Sequence, residues 1–427
     1  MIIGMQPYTR RLVDDELDDL FSGLAAISLD GAKGVGKTAT ASMRAKTVFR
    51  LDDNAVAEVV RAAPEQLSLA LKPVLLDEWQ RAPEVWDIVR RNVDADDTGG
   101  QFLLTGSAAP ANSSTHSGAG RIVSLRMRPL SLAERGIESP TVRMRDLLTG
   151  VAPIHGTTSL GITDYVHEIV ASGFPGIRNL PERARRAQLD SYINRIIEKE
   201  FAEQGLRVRR PETLRNWIAA YAAATASTAS YATILDAATP GLADKPAKTT
   251  AIVYRDVLAQ LWLLDPVEAW LPTRSDFTRL AQAPKHFLAD PALAARLLGV
   301  EETSLLNGTR SSVLGPQEGT VVGRLFEALV ALSLQAYAQQ CEARLGHFRT
   351  RNGDREIDFV VSRADGATVA IEVKLARTVA DSDVRHILWL KQKMGAALTD
   401  MIVVTTGDRA YRRPDGVAVV PAALLGA

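Results

Sequence analysis

The chain has 427 residues, room for about two to four domains rather than one. Its 46% apolar content excludes a disordered chain, and the single cysteine, Cys341, excludes an internal disulfide and fits a reducing cytoplasm. Lysine plus arginine equals aspartate plus glutamate at 50 each, so any nucleic-acid-binding surface must be local rather than global.

The N-terminal MIIGMQPYTRRLVDDELDDL lacks a charged start followed by an apolar run, and no signal peptide is expected. The first strand is read at AAIS, residues 25–28, and a helix at TATASMRAKTVF, residues 38–49. Between them Gly31-Ala32-Lys33-Gly34-Val35-Gly36-Lys37-Thr38 matches G-x-x-x-x-G-K-[ST] in full. The glycines let successive backbone N–H groups turn inward on phosphate oxygens, which then sit at the helix N-terminus. In that loop Lys37 reaches the β- and γ-phosphates of ATP, and the Thr38 hydroxyl binds Mg²⁺.

PVLLDEWQ, residues 73–80, is a short apolar strand that ends in two acids. In a Walker B arrangement Asp77 holds Mg²⁺ and Glu78 polarises the attacking water; the alternative is a helix start capped by Asp77. GQFLLTGSAA, residues 100–109, is a further strand ending in Thr105 and Ser107. These are either sensors of the γ-phosphate or ordinary turn residues. PANSSTHSGAG, residues 110–120, has no acid, lysine or arginine and reads as a mobile loop. GRIVSLRMRPLSLAERG then supplies Arg121, Arg126 and Arg128. Solvated strand-face arginines are one reading; the other makes Arg121 an arginine finger for a neighbouring subunit's nucleotide.

DGAKGVGKT, VLLDEWQRAP, FLLTGSA and GRIVSLRMRPLSLAE, in this order over about the first third of the chain, resemble one group of prokaryotic AAA-type P-loop ATPases (AAA_14-like). In that group the ATPase precedes a DUF4143-type C-terminal region. ASGFPGI, residues 171–177, and YINRIIEKE, residues 192–200, resemble its helical lid segment. The resemblance implies a nucleotide-driven switch without identifying what is switched.

In the middle of the chain three helices and a short strand pair are expected. PETLRNWIAAYAAATA starts with a proline suited to a first helical turn, and SYATILDAA has Ser230 as N-cap. The charge-free window 217–235 is too weakly apolar to enter a membrane and reads as a buried small-residue helix. KPAKTTAIVYRDVLAQLWLL follows a Gly/Pro/Asp-rich turn, and LLDPVEAWLP is extended. In outline this resembles a winged helix, which would make the helix with Lys248, Thr249, Thr250 and Arg255 the recognition helix. A helical connector or a protein-interaction module is the other reading.

From about residue 320 the predicted order is α-β-β-β-α-β: TVVGRLFEALVALSLQAYAQQ, ARLGHFRT, EIDFVVSR, GATVAIEVKLA, SDVRHILWLKQKMGAA and DMIVVTT. In ATVAIEVKLAR alternation sets Val369, Ile371 and Val373 on one face and Glu372 with Lys374 on the other, as in a half-buried strand. An acid and a base side by side there are either a surface ion pair or part of a metal-dependent nuclease site. REIDFVV followed by IEVK, in this element order, resembles the restriction-endonuclease-like PD-(D/E)xK superfamily. The superfamily's proline is replaced by Ile357. The resemblance implies Asp358 as the first acid, Glu372 and Lys374 as the (D/E)xK pair, and Glu327 as the acid on the preceding helix. Such carboxylates hold Mg²⁺ or Mn²⁺, and Lys374 orients or deprotonates the attacking water. His347, Arg349, Arg351 and Arg355 form either a phosphate-contacting basic cluster or a solvated hairpin tip.

The expected fold class is therefore α/β: a P-loop AAA-type ATPase core (1–150), a helical lid (151–210), a winged-helix-like segment (211–272) and a C-terminal α/β restriction-endonuclease-like domain (273–427). The expected function is ATP binding and hydrolysis that controls a nuclease-like, metal-dependent domain acting on DNA or RNA. The alternative is a nucleotide-dependent protein-interaction switch, of toxin–antitoxin or defence type, with an inactive C-terminal domain. A cytoplasmic location, no membrane, possible homo-oligomers and possibly a protein partner complete the expectation.

Overall fold

The structure is a computed structural model describing residues 8–107, 118–206, 208, 210–239, 248–271, 282–307, 318–350 and 352–427, without the side chains of 318–320. It divides into two units. One comprises Met1–Arg128, Glu200–Arg207 and Gln260–Trp262; the other comprises Pro129–Lys199, Val208–Ala259 and Leu263–Ala427.

The first unit is built on five parallel strands, β1 (Ala26–Asp30), β2 (Thr47–Arg50), β3 (Val74–Asp77), β4 (Phe102–Gly106) and β5 (Ile122–Arg126), in the order β2-β3-β4-β1-β5. Their apolar runs make near-continuous buried strands, as a parallel sheet covered on both faces requires. Val74, Leu76, Phe102 and Leu104 pack with Val85 and Val89 of the helix Glu84–Ala95. The register places Asp77 beside Thr105, Thr105 beside Leu29, and Asp30 beside Gly106. One edge of the sheet therefore carries the P-loop, the paired acids and the polar end of β4, where ligands of open α/β sheets bind. The segment Glu200–Arg207 is tied to this unit by Lys33–Glu200 and Arg81–Glu203 ion pairs, both at 3.1 Å.

In the second unit β7 (Ala343–Arg349), β8 (Glu356–Arg363), β9 (Thr368–Lys374), β10 (Leu398–Thr405), β11 (Tyr411–Arg412) and β12 (Ala418–Pro421) form a six-stranded sheet in the order β11-β12-β10-β9-β8-β7. β7, β8 and β9 are antiparallel neighbours, while β9, β10 and β12 run parallel. Short strands β6 (Val142–Arg143) and β13 (Leu425–Gly426) pair separately. The helix Asp381–Met394 lays Val384, Ile387 and Leu390 against Val360, Ala370 and Val403 of this sheet. The helix Glu318–Gln340 packs on β7 and β9.

The predicted α-β-β-β-α-β order is present, and the strand Ala418–Pro421 extends the sheet beyond it. β9 is not half buried: it is a central strand buried along Thr368–Val373, and Glu372 is 4% exposed. Alternation alone cannot reveal that a helix covers the polar face. The middle helices are Pro211–Ala223, with proline in the first turn, Tyr231–Ala237, with Ser230 accepting from Thr233 N–H at 3.1 Å, and Lys248–Gln260. The 217–235 window is thus divided between two helices. After them Leu264 and Val267 bridge antiparallel to Leu288 and Lys285, and Ala269 bridges to His347. The strand pair was expected; its partner, residues 285–288, was not.

Residues 151–199, expected as a lid, make their packing within the second unit, where the helix Ile162–Ala171 lies against Pro291–Leu297. The loop at 110–120 lies outside the described residues except for 118–120, as do most of the turn before Lys248, the 272/273 boundary and Arg351. Among the described residues one helix window, Val321–Gln340, is long and apolar enough to cross a membrane, and it is 72% buried.

Candidate functional site

β1 hands the chain to the P-loop at Asp30. A Cβ on Gly31 would stand 2.1 Å from the Met127 carbonyl oxygen, so only glycine fits there, and Gly36 takes φ 106° as the residue before the helix Lys37–Ser42. Ala32 and Val35 are buried and anchor the loop, while Gly34 turns it at φ 84°. The Lys37 side chain runs along the inside of the loop and donates to the carbonyls of Gly31 at 2.7 Å and Ala32 at 2.9 Å. Burial brings its pKa down to about 8, against the opposing charges of Glu78, Asp30 and Asp77.

Asp77 is the centre of the polar edge. Its Oδ1 accepts from the Thr38 hydroxyl at 2.7 Å and from the Thr105 hydroxyl at 2.5 Å. Glu78 follows in the left-handed region at φ 55°, with its N–H 3.4 Å from Thr105 Oγ1. Gln80 donates to Glu78 Oε2 at 2.6 Å and reaches Ser107 Oγ at 3.4 Å. Lys37, Thr38, Asp77, Glu78, Thr105 and Ser107 are thus assembled at one place. The hydroxyl of Thr38 and the carboxylate of Asp77 form a hard-oxygen pair suited to Mg²⁺.

Two participants escaped the sequence reading. Gln80 has a local signal, an amide two residues beyond the acid pair. Arg11 has none: its guanidinium donates to Val35 O of the P-loop and to Arg128 O, both at 2.8 Å, joining segments 24 and 117 residues away in sequence. Arg121 precedes β5 and so lies at the sheet edge opposite the P-loop, paired with Asp94 at 2.8 Å. Arg126 ends β5 and lies over the Trp262 ring.

The second cluster belongs to the other unit. The β8–β9 register, Phe359 opposite Ile371, carries Asp358 opposite Glu372. Asp358 Oδ2 accepts from Val373 N–H at 2.9 Å, and Glu372 Oε2 accepts from Lys374 Nζ at 2.9 Å. Glu327 comes from the long helix. Between these groups stands a residue that no sequence pattern singled out, Lys285. Its Nζ lies 2.6 Å from Glu327 Oε1, 3.0 Å from Asp358 Oδ1 and 3.7 Å from Glu356 Oε1.

Burial opposes the charge of Lys285, but Asp358 and Glu327 hold its pKa above the ordinary value. Burial lifts Glu327 to about 7 and pushes Glu372 well above the usual carboxylate range, Glu372 also feeling the charge of Asp358. For Asp358 the charges of Lys285 and Lys374 outweigh burial and hold its pKa down. Of the residues expected to hold a metal ion, Glu327 and Asp358 face the Lys285 ammonium and Glu372 pairs with Lys374. Among the described residues no group of three or more His, Cys, Asp or Glu is placed to hold a metal ion, and the Lys285 ammonium stands between Glu327 and Asp358.

The basic cluster is also revised. His347 is buried, with its pKa lowered to about 4 by burial and Nε2 3.1 Å from Ala283 O, so it offers no charge to a phosphate. Arg349 reaches Thr228 at 2.7 Å and Arg355 lies over Trp389. On the expected recognition helix Arg255 pairs with Asp256 at 2.7 Å and lies over the Tyr231 ring.

Comparison with known proteins bears on both units. A family model described as AAA domain matches residues 25–135. Residues 25–135 form an AAA domain. This AAA domain carries the P-loop, the acid pair and both β4 hydroxyls. Two regions described as domains of unknown function follow, DUF8612 over 162–304 and DUF4143 over 322–425. The chain is similar to uncharacterised proteins Mb2031c of Mycobacterium bovis and Rv2008c of Mycobacterium tuberculosis, each 25% identical over 395 residues, covering 89% of this chain and 81% of the relative. Among solved structures, the ORC2 protein of Aeropyrum pernix, in ADPNP–ADP complexes, matches at 14% identity over 78% of this chain and 98% of its own, with a TM-score of 0.30.

Proposed function

We propose that the protein is an ATP-hydrolysing switch. The observation that carries this is the convergence of Lys37, Thr38, Asp77 and Thr105 at the edge of the AAA-domain sheet. Lys37, now bonded to the loop carbonyls, exchanges those partners for β- and γ-phosphate oxygens. Thr38 and Asp77 would hold Mg²⁺, which would supply neutralisation of the phosphate charge. Glu78 accepts the proton of the attacking water, and its bond from Gln80 sets the carboxylate's direction. Thr105 and Ser107, linked to Asp77 and Gln80, report the state of the γ-phosphate.

The switch acts on the DUF4143 region in the cytoplasm, in an assembly of like chains in which Arg121 leaves Asp94 to serve a neighbour's nucleotide. Of the two readings of this region, engagement of a DNA, RNA or protein partner without cutting is favoured over metal-dependent cleavage. The position of Lys285 among the carboxylates supports it. Cleavage of DNA or RNA by the purified protein with Mg²⁺ or Mn²⁺, stopped by Lys374→Ala, would reverse that preference. The nucleotide half is tested by binding of a fluorescent ATP analogue. Lys37→Ala is expected to weaken binding by at least about tenfold, since a charge-assisted contact of this kind contributes about 1.5–3 kcal/mol. Equal affinity in the variant would sink this half.

A further inference from the structure

The backbone of Lys285 is fixed on both sides. Its N–H donates to Val267 O at 2.8 Å and its carbonyl accepts from Val267 N–H at 2.9 Å. The next residue, His286, reaches Ala229 O at 2.7 Å. Lys285, His286 and Phe287 are each no more than 2% exposed, and the Phe287 and Phe359 rings lie 5.9 Å apart beside the lysine. Lys285 Nζ is 5.4 Å from the centre of the Phe359 ring. A lysine with a pinned backbone and a sheathed stem does not swing between solvent and site.

An ammonium has three N–H bonds. Three carboxylates, Glu327, Asp358 and Glu356, surround this one, with the nearest two at 2.6 and 3.0 Å. A divalent ion gathering the same oxygens at about 2.0–2.6 Å needs the volume that Nζ fills. Both cannot be present. The cation and its carboxylates also come from different parts of the chain. Lys285 lies in the region matched over 162–304 and the acids in the region matched over 322–425, so the cluster closes only when the two fold together.

We propose that Lys285 is the resident cation of this cluster, filling the volume a divalent metal would need, so that its removal uncovers a divalent-cation site. The inference rests on the C-terminal half of the function proposed above and is independent of ATP hydrolysis. It makes the cluster a polar junction joining helix, sheet and the 285–288 segment.

Mn²⁺ is the probe, titrated into the nucleotide-free full chain and followed by the loss of free-Mn²⁺ electron paramagnetic resonance signal. Wild type and Asp358→Asn are expected to bind Mn²⁺ alike. Lys285→Met is expected to gain at least about tenfold in Mn²⁺ affinity, and Lys285→Met with Asp358→Asn to lose that gain. Mn²⁺ should also raise the thermal midpoint of Lys285→Met and not that of wild type, because a ligand bound only by the folded state stabilises it. Asp358-dependent Mn²⁺ binding by wild type overturns the inference, as does a folded Lys285→Met that binds no more than wild type. Where Lys285→Met does not fold, the wild-type and Asp358→Asn pair decides. Failure here leaves the ATPase reading intact, and absence of ATP turnover leaves this inference intact.

Discussion

At Lys37 burial and charge act in opposite directions, and the balance shifts when phosphate arrives. The buried ammonium has its pKa at about 8 in the nucleotide-free loop. A bound triphosphate adds negative charge around Nζ and raises that value, so binding takes up a proton at pH between the free and bound values. Nucleotide affinity should therefore fall as pH rises from about 8 toward 10. Calorimetric titration near pH 9 in two buffers of different ionisation enthalpy should show net proton uptake by the protein. An affinity constant across that range would contradict the assignment of Lys37. The gathering of this residue with Thr38, Asp77 and Glu78 was legible because each stands in a short contiguous run behind an apolar strand. Gln80 was half legible, at the end of DEWQ. Arg11 was not, because a guanidinium that acts through backbone carbonyls leaves no pattern in the segments it joins.

At the scale of elements β9 shows what periodicity contains. The alternation in TVAIEVK correctly set Glu372 and Lys374 apart from the apolar residues, and the element order placed Asp358 on the neighbouring strand. It could not say that the polar side faces a helix and a lysine from 73 residues away. PKHFLAD carries no strand signal of its own, because two bridges to Leu264 and Val267 define it rather than a hydrophobic period. Glu168, on the helix Ile162–Ala171, offers a stability test. Glu168 accepts from Arg135 Nη1 at 2.8 Å and from Arg178 at 2.8 and 3.0 Å, and the Arg135 side chain is fully buried. Burial would raise the Glu168 pKa, but Arg178 and Arg135 bring it down to about 2, below the ordinary 4.5. The folded state thus gains from this group at pH above about 4.5 and loses that gain as pH falls toward 2. Glu168→Gln should destabilise by about 3–5 kcal/mol at neutral pH, by stranding a buried guanidinium. Urea unfolding should show the gap between variant and wild type narrowing as the pH is lowered to about 3; a gap independent of pH would place the loss in packing instead.

For the whole molecule, balanced composition concealed two polar centres of opposite design. The AAA domain keeps its lysine loosely held, on carbonyls that phosphate can replace. The second unit keeps Lys285 buried among carboxylates, with Glu327 and Asp358 at 2.6 and 3.0 Å from its ammonium. The first design was readable from sequence because a P-loop is contiguous. The second was readable only as an acid–base puzzle, since its cation comes from another region of the chain. ATP turnover tests the role of the AAA domain's polar edge most directly. Steady-state phosphate release by the purified full chain with Mg²⁺ should be measurable for wild type. In Glu78→Gln, which removes the proton acceptor and keeps the shape, it should fall by about 10²–10⁴-fold while nucleotide is still bound. Turnover at the wild-type rate in Glu78→Gln would contradict the role given to this edge of the sheet.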